Sequence, residues 1–250
     1  MNKLISTFVV VSSQLMSHSR YEQLIVRLIQ RRASALSSDE ALRFAFRLEA
    51  ALYELEGPLA VAYNKGIHTK HRHTGYHDFF VSRIKPGEHV LDIGCGMGDV
   101  AHDLAEKAQA IVDGIDLNAE NIAEAKRRYS HPDLHFMVQD ALTLEIGKPY
   151  DVILLSNVLE HLNNRPEFLQ RILSLTKAKR VFIRVPLFER DWRVPLKKEL
   201  GVEWRLDPDH KTEYTLDGFY KEMEQAALNV KHIELRWGEI WSELAPEPAK

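Results

Sequence analysis

Three alternating glycines mark the first segment of this chain that could bind a ligand. The apolar run Val90–Ile93 is typical of a buried strand, and it leads into Gly94, Gly96 and Gly98. A segment of helical composition follows from Asp99. A strand that turns through glycines into a helix lets the backbone approach a ligand closely and points free N–H groups towards it. We therefore predict a small-ligand site at this turn.

The acidic residues around the turn indicate the charge of that ligand. Asp92 lies two positions before the first glycine, where its carboxylate would repel an incoming pyrophosphate. Asp99 occupies the position at which a dinucleotide-binding fingerprint has its third glycine. The turn therefore favours a cationic ligand over a dinucleotide, and this disfavours a dehydrogenase.

Further residues of interest recur where the next predicted strands end. The second strand ends at Asp116 and Leu117, the third is followed by Asp140 and Ala141, and the fourth ends at Ser156. Open α/β sheets bind ligands at the carboxyl ends of their strands. Asp116 can accept hydrogen bonds from two ribose hydroxyls, and Asp140 can accept one from an adenine amino group. A cationic nucleoside such as S-adenosylmethionine, with its sulfonium and ammonium groups, suits all of these positions.

Glu160 and His161 follow the fourth strand and are placed to activate a second substrate. Methyl transfer from a sulfonium needs alignment, and a hydroxyl acceptor also needs a base or a metal ion that acidifies it. If a helix begins at Asn157, positions 157, 160 and 161 share one of its faces. With His210 from a later segment, these side chains would form a compact set of oxygen and nitrogen ligands. We predict Glu160, His161 and His210 as catalytic residues and as ligands of a metal ion such as Mg²⁺.

A histidine-rich segment lies just ahead of the predicted sheet. Between His68 and His77 it holds four histidines together with Lys70 and Arg72, without the cysteine pattern of a zinc site. Two interpretations stay open for this segment. It is either a solvated basic loop, or a segment in which Arg72 or His71 reaches the carboxylate of the cofactor or an anionic acceptor.

The elements that must position these residues follow from the pattern of apolar side chains. From residue 88 onward strand and helix patterns alternate, which predicts a parallel sheet with helices on both faces. Strands are predicted at 89–93, 111–116, 134–138, 150–155 and 180–185, with a terminal strand pair at 230–236 and 238–244. Helices are predicted at 99–108, 119–129, 165–175 and 216–227. The predicted fold class is α/β: a Rossmann-like, mostly parallel sheet of seven strands with helices on both faces.

An N-terminal helical extension precedes this sheet. Apolar stripes predict helices at 21–33 and 38–56, and Gly57 with Pro58 is expected to end the second helix. We divide the chain into an N-terminal extension or cap at 1–80 and a main domain at 81–250. An irregular insert at about 187–213 carries tryptophans and basic residues, and its length predicts a function in contacting the acceptor.

The ordered set of motifs resembles the class I S-adenosylmethionine-dependent methyltransferases over roughly residues 76–245. The matching features are D-x-G-x-G-x-G from Asp92 to Gly98, acidic residues after the second and third strands, and N-V-L-E-H-L after the fourth. The residues implied at the methionine end of the cofactor are Gly94, Cys95, Gly96 and Gly98. The resemblance also implies that Asp116 holds the ribose and that Asp140 and Ala141 lie at the adenine.

The Glu160-His161 fragment also resembles the E-x-x-E-H motif of two metal-assisted groups within that class. These are the ubiquinone-pathway catechol O-methyltransferases and the small-RNA 2′-O-methyltransferases, the latter with a further histidine along the chain. Asn157 stands where those groups have their first glutamate, and an amide oxygen is a weaker, uncharged ligand. Three roles therefore stay open for the pair: ligands of Mg²⁺, His161 as a metal-free base, or a helix-start pair that organises the pocket.

The function implied by this resemblance is O-methylation of a hydroxyl on a small-molecule or glycan-like acceptor, which yields S-adenosylhomocysteine. One alternative is N- or C-methylation of a metabolite, which needs no metal. Another is a non-catalytic partner protein that binds the cofactor. The N-terminal helices could form a homodimer or cover the site.

Composition narrows the partners and the compartment. The chain has 33 Lys and Arg against 36 Asp and Glu, and a net charge of −3 does not favour a nucleic acid acceptor. Cys95 is the only cysteine, so we expect no intramolecular disulfide and a reducing compartment, the cytoplasm. The apolar stretch Leu4–Val11 lacks a clear cleavage site and is too short for a membrane span, which we do not predict.

Overall fold

The computed structural model describes residues 16–145 and 147–248 of the 250-residue chain, and the stretch Leu4–Val11 lies outside them. The chain divides into two compact units. One consists of the chain up to Leu59 together with Lys197–Val202, and the other of Ala60–Leu196 with Glu203–Lys250. The boundary near residue 80 between an extension and a main domain stays a prediction.

The larger unit contains one sheet of seven strands, as the sequence predicts. The strands are β1 His89–Ile93, β2 Ile111–Asp116, β3 Leu134–Val138, β4 Val152–Ser156, β5 Arg180–Pro186, β6 Leu228–Arg236 and β7 Glu239–Pro246. Their spatial order is β3-β2-β1-β4-β5-β7-β6. Strands β1 to β5 pair in parallel, whereas β7 pairs antiparallel with both β5 and β6. The strand order reverses between β1 and β4, and open sheets bind ligands at such a switch point.

Nine α-helices lie in the part of the chain that the structure describes. They are α1 His18–Ala33, α2 Ser38–Tyr63, α3 Lys70–Thr74, α4 Tyr76–Val81, α5 Asp99–Ala108, α6 Ala119–Arg128, α7 Arg165–Thr176, α8 Arg193–Glu199 and α9 Leu216–Gln225. Short 3₁₀ turns occur at Leu159–His161 and Phe188–Arg190. Among the residues described, no helix is long and apolar enough to cross a bilayer.

Side chains of the central strands alternate between two hydrophobic clusters, one on each face of the sheet. Leu91 and Ile93 of β1 belong to the cluster that includes residues of α7 and α9. Val90 of the same strand belongs to the cluster that includes residues of α4, α5 and α6. Because helices cover both faces, the strands are nearly continuous apolar runs, which is the pattern that marked them in the sequence.

Helix α2 continues through Gly57 and Pro58 and ends at Tyr63, so the prediction that this dipeptide ends the helix is wrong. A proline inside a helix removes one N–H donor and crowds the carbonyl four residues earlier, here that of Glu54. Glu54 and its neighbours are exposed. Water can therefore satisfy the carbonyl that loses its partner, which lowers the cost of continuing the helix.

The insert at about 187–213 is closed at its base and contains α8, so its description as wholly irregular is wrong. Leu187 and Tyr214 form a parallel bridge, and the N–H of Phe188 donates to the carbonyl of Tyr214 at 2.7 Å. Asp191 accepts a hydrogen bond from the N–H of Arg193 at 2.9 Å, at the start of α8. The two ends of the insert therefore lie side by side next to the end of β5.

Close packing requires glycine at position 98. Gly98 has a φ of +84°, and a Cβ on it would lie 2.4 Å from Cζ of Phe136 and 3.1 Å from Cβ of Ala125. Phe136 is buried on β3 and has little room to move. The missing side chain thus lets the start of α5 pack directly against this ring.

Gly98→Ala should lower the free energy of unfolding by about 2–4 kcal/mol, because it adds both backbone strain and a clash with Phe136. Gly87→Ala is the matched control, since Gly87 has a φ of +78° but nothing within 4 Å of a Cβ. That variant should lose only about 1–2 kcal/mol from the backbone. Urea denaturation measures both values, and equal losses in the two variants would contradict the clash.

Candidate active site

A cleft of about 190 Å³ opens at the carboxyl ends of β1 and β4, where the strand order reverses. Its walls come from the glycine turn, the ends of β4 and β5, and helices α3 and α4. The residues predicted from the sequence to bind the cofactor that line it are Asp92, Gly94, Cys95, Gly96 and Ser156. We call it the cofactor cleft below.

Asp92 is a buried acid with one carboxyl oxygen unpaired among the described residues. Its side chain is 2% exposed, and Oδ2 has no hydrogen-bond partner among the described residues. Burial, reinforced by the nearby carboxylate of Asp116, raises the pKa of Asp92 to about 8. Buried polar groups are rarely left unpaired in proteins, so this carboxyl group indicates a ligand that donates hydrogen bonds or carries positive charge.

Backbone amides hold the carboxylate of Asp116 at the end of β2. Oδ2 accepts from the N–H of Gly96 at 2.9 Å, and Oδ1 accepts from the N–H of Asn118 at 2.8 Å. The side-chain amide of Asn121 lies 3.4 Å from Oδ1. A carboxylate has about four acceptor sites, so Asp116 keeps capacity for further donors such as a pair of ribose hydroxyls.

The residues predicted at the ribose and adenine lie along the same edge of the sheet. Leu117 follows Asp116 and is 73% exposed, so it offers apolar surface beside the carboxylate. Asp140 accepts a hydrogen bond from the N–H of Leu142 at 2.8 Å, and the carbonyl of Ala141 accepts one from a guanidinium at 3.1 Å. Both residues are half-buried just beyond β3. Their contacts with a nucleoside stay predictions.

Glu160, His161 and His210 lie together, although the last is distant in sequence. One ligand atom from each lies within 4.8 Å of the others, and the centroids of the two imidazole rings are 4.7 Å apart. The carbonyl of Glu160 accepts hydrogen bonds from the N–H groups of Lys211 at 2.7 Å and Thr212 at 3.3 Å. These bonds attach the end of the insert to the turn that carries Glu160 and bring His210 to it.

The Glu160 carboxyl group is fully buried and lacks protein partners. Both of its oxygens are without a hydrogen-bond partner among the described residues. Burial raises the pKa of Glu160 to about 7. An unpaired buried carboxylate is costly unless a cation or a donor binds it, so the cluster has the chemistry of a metal or acceptor site.

Both histidines of the cluster are oriented by carboxylates. Nδ1 of His161 lies 3.4 Å from Oδ2 of Asp209, and Nδ1 of His210 lies 3.3 Å from Oε1 of Glu213. Glu213 also pairs with Arg190. An imidazole whose Nδ1–H faces a carboxylate presents its Nε2 lone pair to a metal ion or a proton. Both side chains can therefore act as metal ligands or as bases.

Asn157 does not share a helical face with Glu160 and His161, so that prediction is wrong. The 3₁₀ turn begins at Leu159, and Asn157 itself has a φ of +58° because the chain turns sharply at the end of β4. Asn157 lines the cofactor cleft, and its Oδ1 is buried without a partner among the residues described. It therefore offers a further oxygen, unpaired among the described residues, near the start of the Glu160 turn.

The guanidinium groups of the insert are engaged within the insert itself. The ion pairs are Arg190–Glu213, Arg193–Asp191 and Arg205–Glu203. Trp204 packs edge-on against Phe188, with ring centroids 5.4 Å apart. Trp192, by contrast, is 71% exposed. The insert therefore offers an exposed aromatic ring, whereas these three arginines already have partners.

Sequence reasoning missed Arg184, which lines the cofactor cleft from the end of β5. Arg184 is buried, pairs with Glu239 and donates to Oγ of Ser156 at 3.2 Å. Its guanidinium lies 3.8 Å from the ring centre of Tyr76. A single arginine inside the apolar run of β5 is the signal that could have found it, because a charge on a buried strand needs a partner.

The histidine-rich segment forms α3 and α4, so the interpretation as a solvated loop is wrong. His71 lines the cofactor cleft, and it also lines a neighbouring cavity of about 360 Å³. Arg72 is exposed and lines only that second cavity. A role for Arg72 at the cofactor stays a prediction, and His71 is the better placed of the two residues.

Comparison with known proteins finds methyltransferases similar to this chain. Residues 90–179 match the family model described as a methyltransferase domain. A ubiquinone biosynthesis O-methyltransferase from Rhodopseudomonas palustris is 29% identical over 120 residues, which cover 47% of this chain and 47% of that protein. A 2-methyl-6-phytyl-1,4-hydroquinone methyltransferase from Synechocystis is 25% identical over 156 residues, which cover 58% of this chain and 48% of that protein. The chain thus spans about half the length of these relatives.

The fold also matches solved structures. The magnesium protoporphyrin IX methyltransferase from Synechocystis, solved with bound S-adenosylhomocysteine, superposes with a TM-score of 0.56 at 20% identity. The match covers 70% of this chain and 84% of that chain. This likeness confirms the predicted Rossmann-like sheet.

Asp92→Asn should stabilise the protein at alkaline pH. The folded pKa of Asp92 lies above its ordinary value of 3.8, so the stability associated with the protonated acid is lost as pH rises towards 8. The gain in unfolding free energy on substitution should increase from about pH 5 to about pH 8, reaching roughly 2 kcal/mol or more. Urea denaturation across this range measures it.

Asp113→Asn is the matched control on the neighbouring strand. Asp113 is equally buried, but its carboxylate lies 2.6 Å from Nζ of Lys148 and accepts from the hydroxyl of Tyr150 at 2.6 Å. Its substitution should cost about 1–3 kcal/mol, because it weakens a satisfied network. A destabilised Asp92→Asn at pH 8 would contradict the assignment of an unpaired carboxylate.

Proposed function

We propose that this chain, which carries a class I S-adenosylmethionine-dependent methyltransferase domain, transfers a methyl group from that cofactor to a hydroxyl of a small-molecule acceptor. The observation that carries the proposal is a pair of buried, unpaired carboxyl groups at neighbouring strand ends. Asp92 lies in the cofactor cleft, and Glu160 lies beside two histidines. The first suits a cationic cofactor, and the second suits an acceptor that must lose a proton.

The cofactor supplies a methyl group already activated by its positive sulfur, so the protein mainly has to align it. In this proposal Asp92 faces the ammonium group, and the backbone at Gly96 lies against the methionine part. Apart from Gly96 and its two chain neighbours, no described residue has an atom within 4 Å of a Cβ built on Gly96, so a ligand can approach there. Asp116 accepts hydrogen bonds from the ribose hydroxyls, and Asp140 accepts one from the adenine amino group.

Glu160, His161 and His210 activate the acceptor in this proposal. A hydroxyl must lose its proton as the methyl group arrives, and a positioned base accelerates that step. Each imidazole presents Nε2 because a carboxylate faces its Nδ1. The raised pKa of Glu160, about 7, keeps its proton exchangeable near neutral pH.

A divalent cation fits the same cluster. Glu160 has two buried oxygens without hydrogen-bond partners among the described residues, and His161 and His210 would each contribute one ring nitrogen. An ion such as Mg²⁺ held there would lower the pKa of an acceptor hydroxyl. Two imidazoles also suit transition metals, so Mn²⁺ and Zn²⁺ belong in any test.

Aromatic hydroxyl compounds are the first acceptors to examine. Two relatives are named for ubiquinone biosynthesis and for a hydroquinone. The exposed ring of Trp192 on the insert could stack on such an acceptor. A sugar hydroxyl could stack in the same way and is the second class to examine. Association of two copies through the N-terminal helices stays a prediction.

Asp116→Ala should raise the Kd for S-adenosylhomocysteine at least about tenfold, because it removes the acceptor for two hydroxyls and releases Gly96 and Asn118. Calorimetric titration measures this constant. Asp133→Ala is the control, since Asp133 is exposed just before β3 and should bind normally. Unchanged binding by Asp116→Ala would argue strongly against the proposed orientation of the cofactor.

Removal of metal should abolish turnover if a cation activates the acceptor. EDTA should lower kcat by more than about tenfold, and added Mg²⁺ or Mn²⁺ should restore it. In Glu160→Gln the added metal should fail to restore kcat, whereas the Kd for S-adenosylhomocysteine should stay unchanged. A methyl-release assay over aromatic and sugar acceptors measures both effects. Turnover that survives EDTA but is lost in His161→Gln would identify His161 as a base that acts without a metal. Turnover that survives both would favour N- or C-methylation.

A further inference from the structure

Two imidazoles and a carboxylate form a hydrogen-bonded chain that begins in the cofactor cleft and ends in the neighbouring cavity. Nδ1 of His71 lies 2.9 Å from Nε2 of His77, and Nδ1 of His77 lies 2.7 Å from Oδ2 of Asp103. His71 lines both spaces, whereas His77 and Asp103 line only the second. We call this chain the histidine relay, and none of its members belongs to the Glu160 cluster.

The carboxylate of Asp103 determines where the protons of the relay lie. Although burial raises its pKa, hydrogen bonds from His77 and Lys107 hold the pKa of Asp103 below its ordinary value. In the tautomers that leave one proton on each imidazole, ionised Asp103 accepts the Nδ1–H of His77, and Nε2 of His77 accepts the Nδ1–H of His71. Nε2 of His71 is left with a lone pair, and no described residue forms a hydrogen bond with it.

His71 is uncharged in the ligand-free protein at neutral pH. Burial, and next the neighbouring His77, lower the pKa of His71 to about 4. Lys70 beside it on α3 and Arg184 at the end of β5 act in the same direction. A negative group that entered the cleft next to these cations would reverse this balance and favour the imidazolium.

The other charged and titratable groups around His71 do not provide enough negative charge to favour its imidazolium form. Asp99 at the start of α5 opposes the lowering of its pKa but does not cancel it. The hydroxyl of Tyr76 on α4 lies 3.1 Å from Nδ1 of His71, and burial raises the pKa of Tyr76, so the hydroxyl stays neutral. Asp92 lines the same cleft, but its own raised pKa keeps it largely protonated below about pH 8.

The cofactor cleft therefore has cationic side chains that suit a carboxylate and an acidic side chain that suits an ammonium group, the two charged groups of an α-amino acid. Lys70, His71 and Arg184 line it with positive or protonatable nitrogen, although Glu239 already pairs with Arg184. Asp92 offers the complementary oxygen. The methionine part of the proposed cofactor presents one carboxylate and one ammonium group, which fit these two linings.

We propose that His71 positions the cofactor by binding its methionine carboxylate as an imidazolium, so that cofactor binding takes up a proton at the histidine relay. The inference rests on the function proposed above. Before binding, His71 carries one proton, on Nδ1, and Nε2 has a lone pair. On binding, Nε2 gains one proton from solvent and donates a hydrogen bond to the carboxylate, and no other covalent bond of the relay changes; any proton that Asp92 exchanges is counted separately.

His77 and Asp103 stabilise the charged form of His71. The Nδ1–H of an imidazolium is a stronger donor, and it is directed at a ring nitrogen whose other side faces a carboxylate. Lys107, on the rim of the second cavity, is largely exposed and pairs with Asp103 at 2.8 Å, so solvent reaches the outer end of the relay. Part of the new positive charge is thus shared with the relay instead of remaining in the cleft.

Calorimetric titration of S-adenosylhomocysteine into the full chain, in two buffers of different ionisation enthalpy, counts the protons exchanged. At about pH 6 wild type should take up several tenths of a proton to one proton more than His71→Gln, and it should bind about tenfold more tightly. The difference in affinity should narrow as pH rises, because His71 gains its proton less readily. Asp92 exchanges protons in the same cleft, and comparing the two proteins cancels its contribution.

Asp103→Asn tests the relay without altering His71. It should lower the proton uptake part of the way towards that of His71→Gln, because the amide stabilises the imidazolium less. His131→Gln is the matched control, since His131 faces Glu106 at 4.0 Å and does not line the cofactor cleft, and it should keep the wild-type value. Equal proton numbers in wild type, His71→Gln and Asp103→Asn would overturn the inference. Failure of wild type to bind S-adenosylhomocysteine would instead overturn the proposed function.

Discussion

The burial of carboxyl oxygens that have no hydrogen-bond partner among the described residues is the constraint on which this edge of the sheet depends. Asp92 lies near the end of β1 and Glu160 follows the adjacent parallel strand β4, and the burial of each side chain penalises its charged form. Folding tolerates them because the two hydrophobic clusters stabilise the sheet independently of these positions. A ligand that brings positive charge or hydrogen-bond donors to this edge lowers the free-energy cost of burying these carboxyl groups. That gain contributes to the free energy of ligand binding.

The sheet positions the cofactor cleft, and the insert positions His210. Parallel pairing brings the ends of β1 and β4 side by side, which positions the cofactor cleft next to the Glu160 turn. The Glu160 cluster also needs contacts from outside the sheet, because His210 comes from a segment far along the chain. Two backbone hydrogen bonds to the carbonyl of Glu160 provide them, and Glu213 then orients the imidazole.

The sequence allowed much of the fold and part of the site to be predicted, and the failures share a physical cause. Strands and helices of the sheet were found because a buried parallel strand is apolar throughout and a covering helix has an apolar stripe. The prediction that Gly57 and Pro58 end helix α2 failed because local propensity does not show that water can satisfy an exposed carbonyl group. Arg184 and the φ of Asn157 were missed because both depend on neighbours that only the folded chain supplies. The cluster around His210 was anticipated from resemblance, since no local pattern links it to Glu160.

The closed base of the insert has a consequence for how such a chain can diversify. The bridge between Leu187 and Tyr214 fixes the two stems, and the entropy of closing a loop grows only slowly with its length. The intervening arc can therefore be lengthened or shortened ahead of the segment that carries His210 and Glu213 while the stems stay in register with the sheet. Such a change would leave His210 beside Glu160, because the backbone hydrogen bonds from Lys211 and Thr212 to the carbonyl of Glu160 fix that segment.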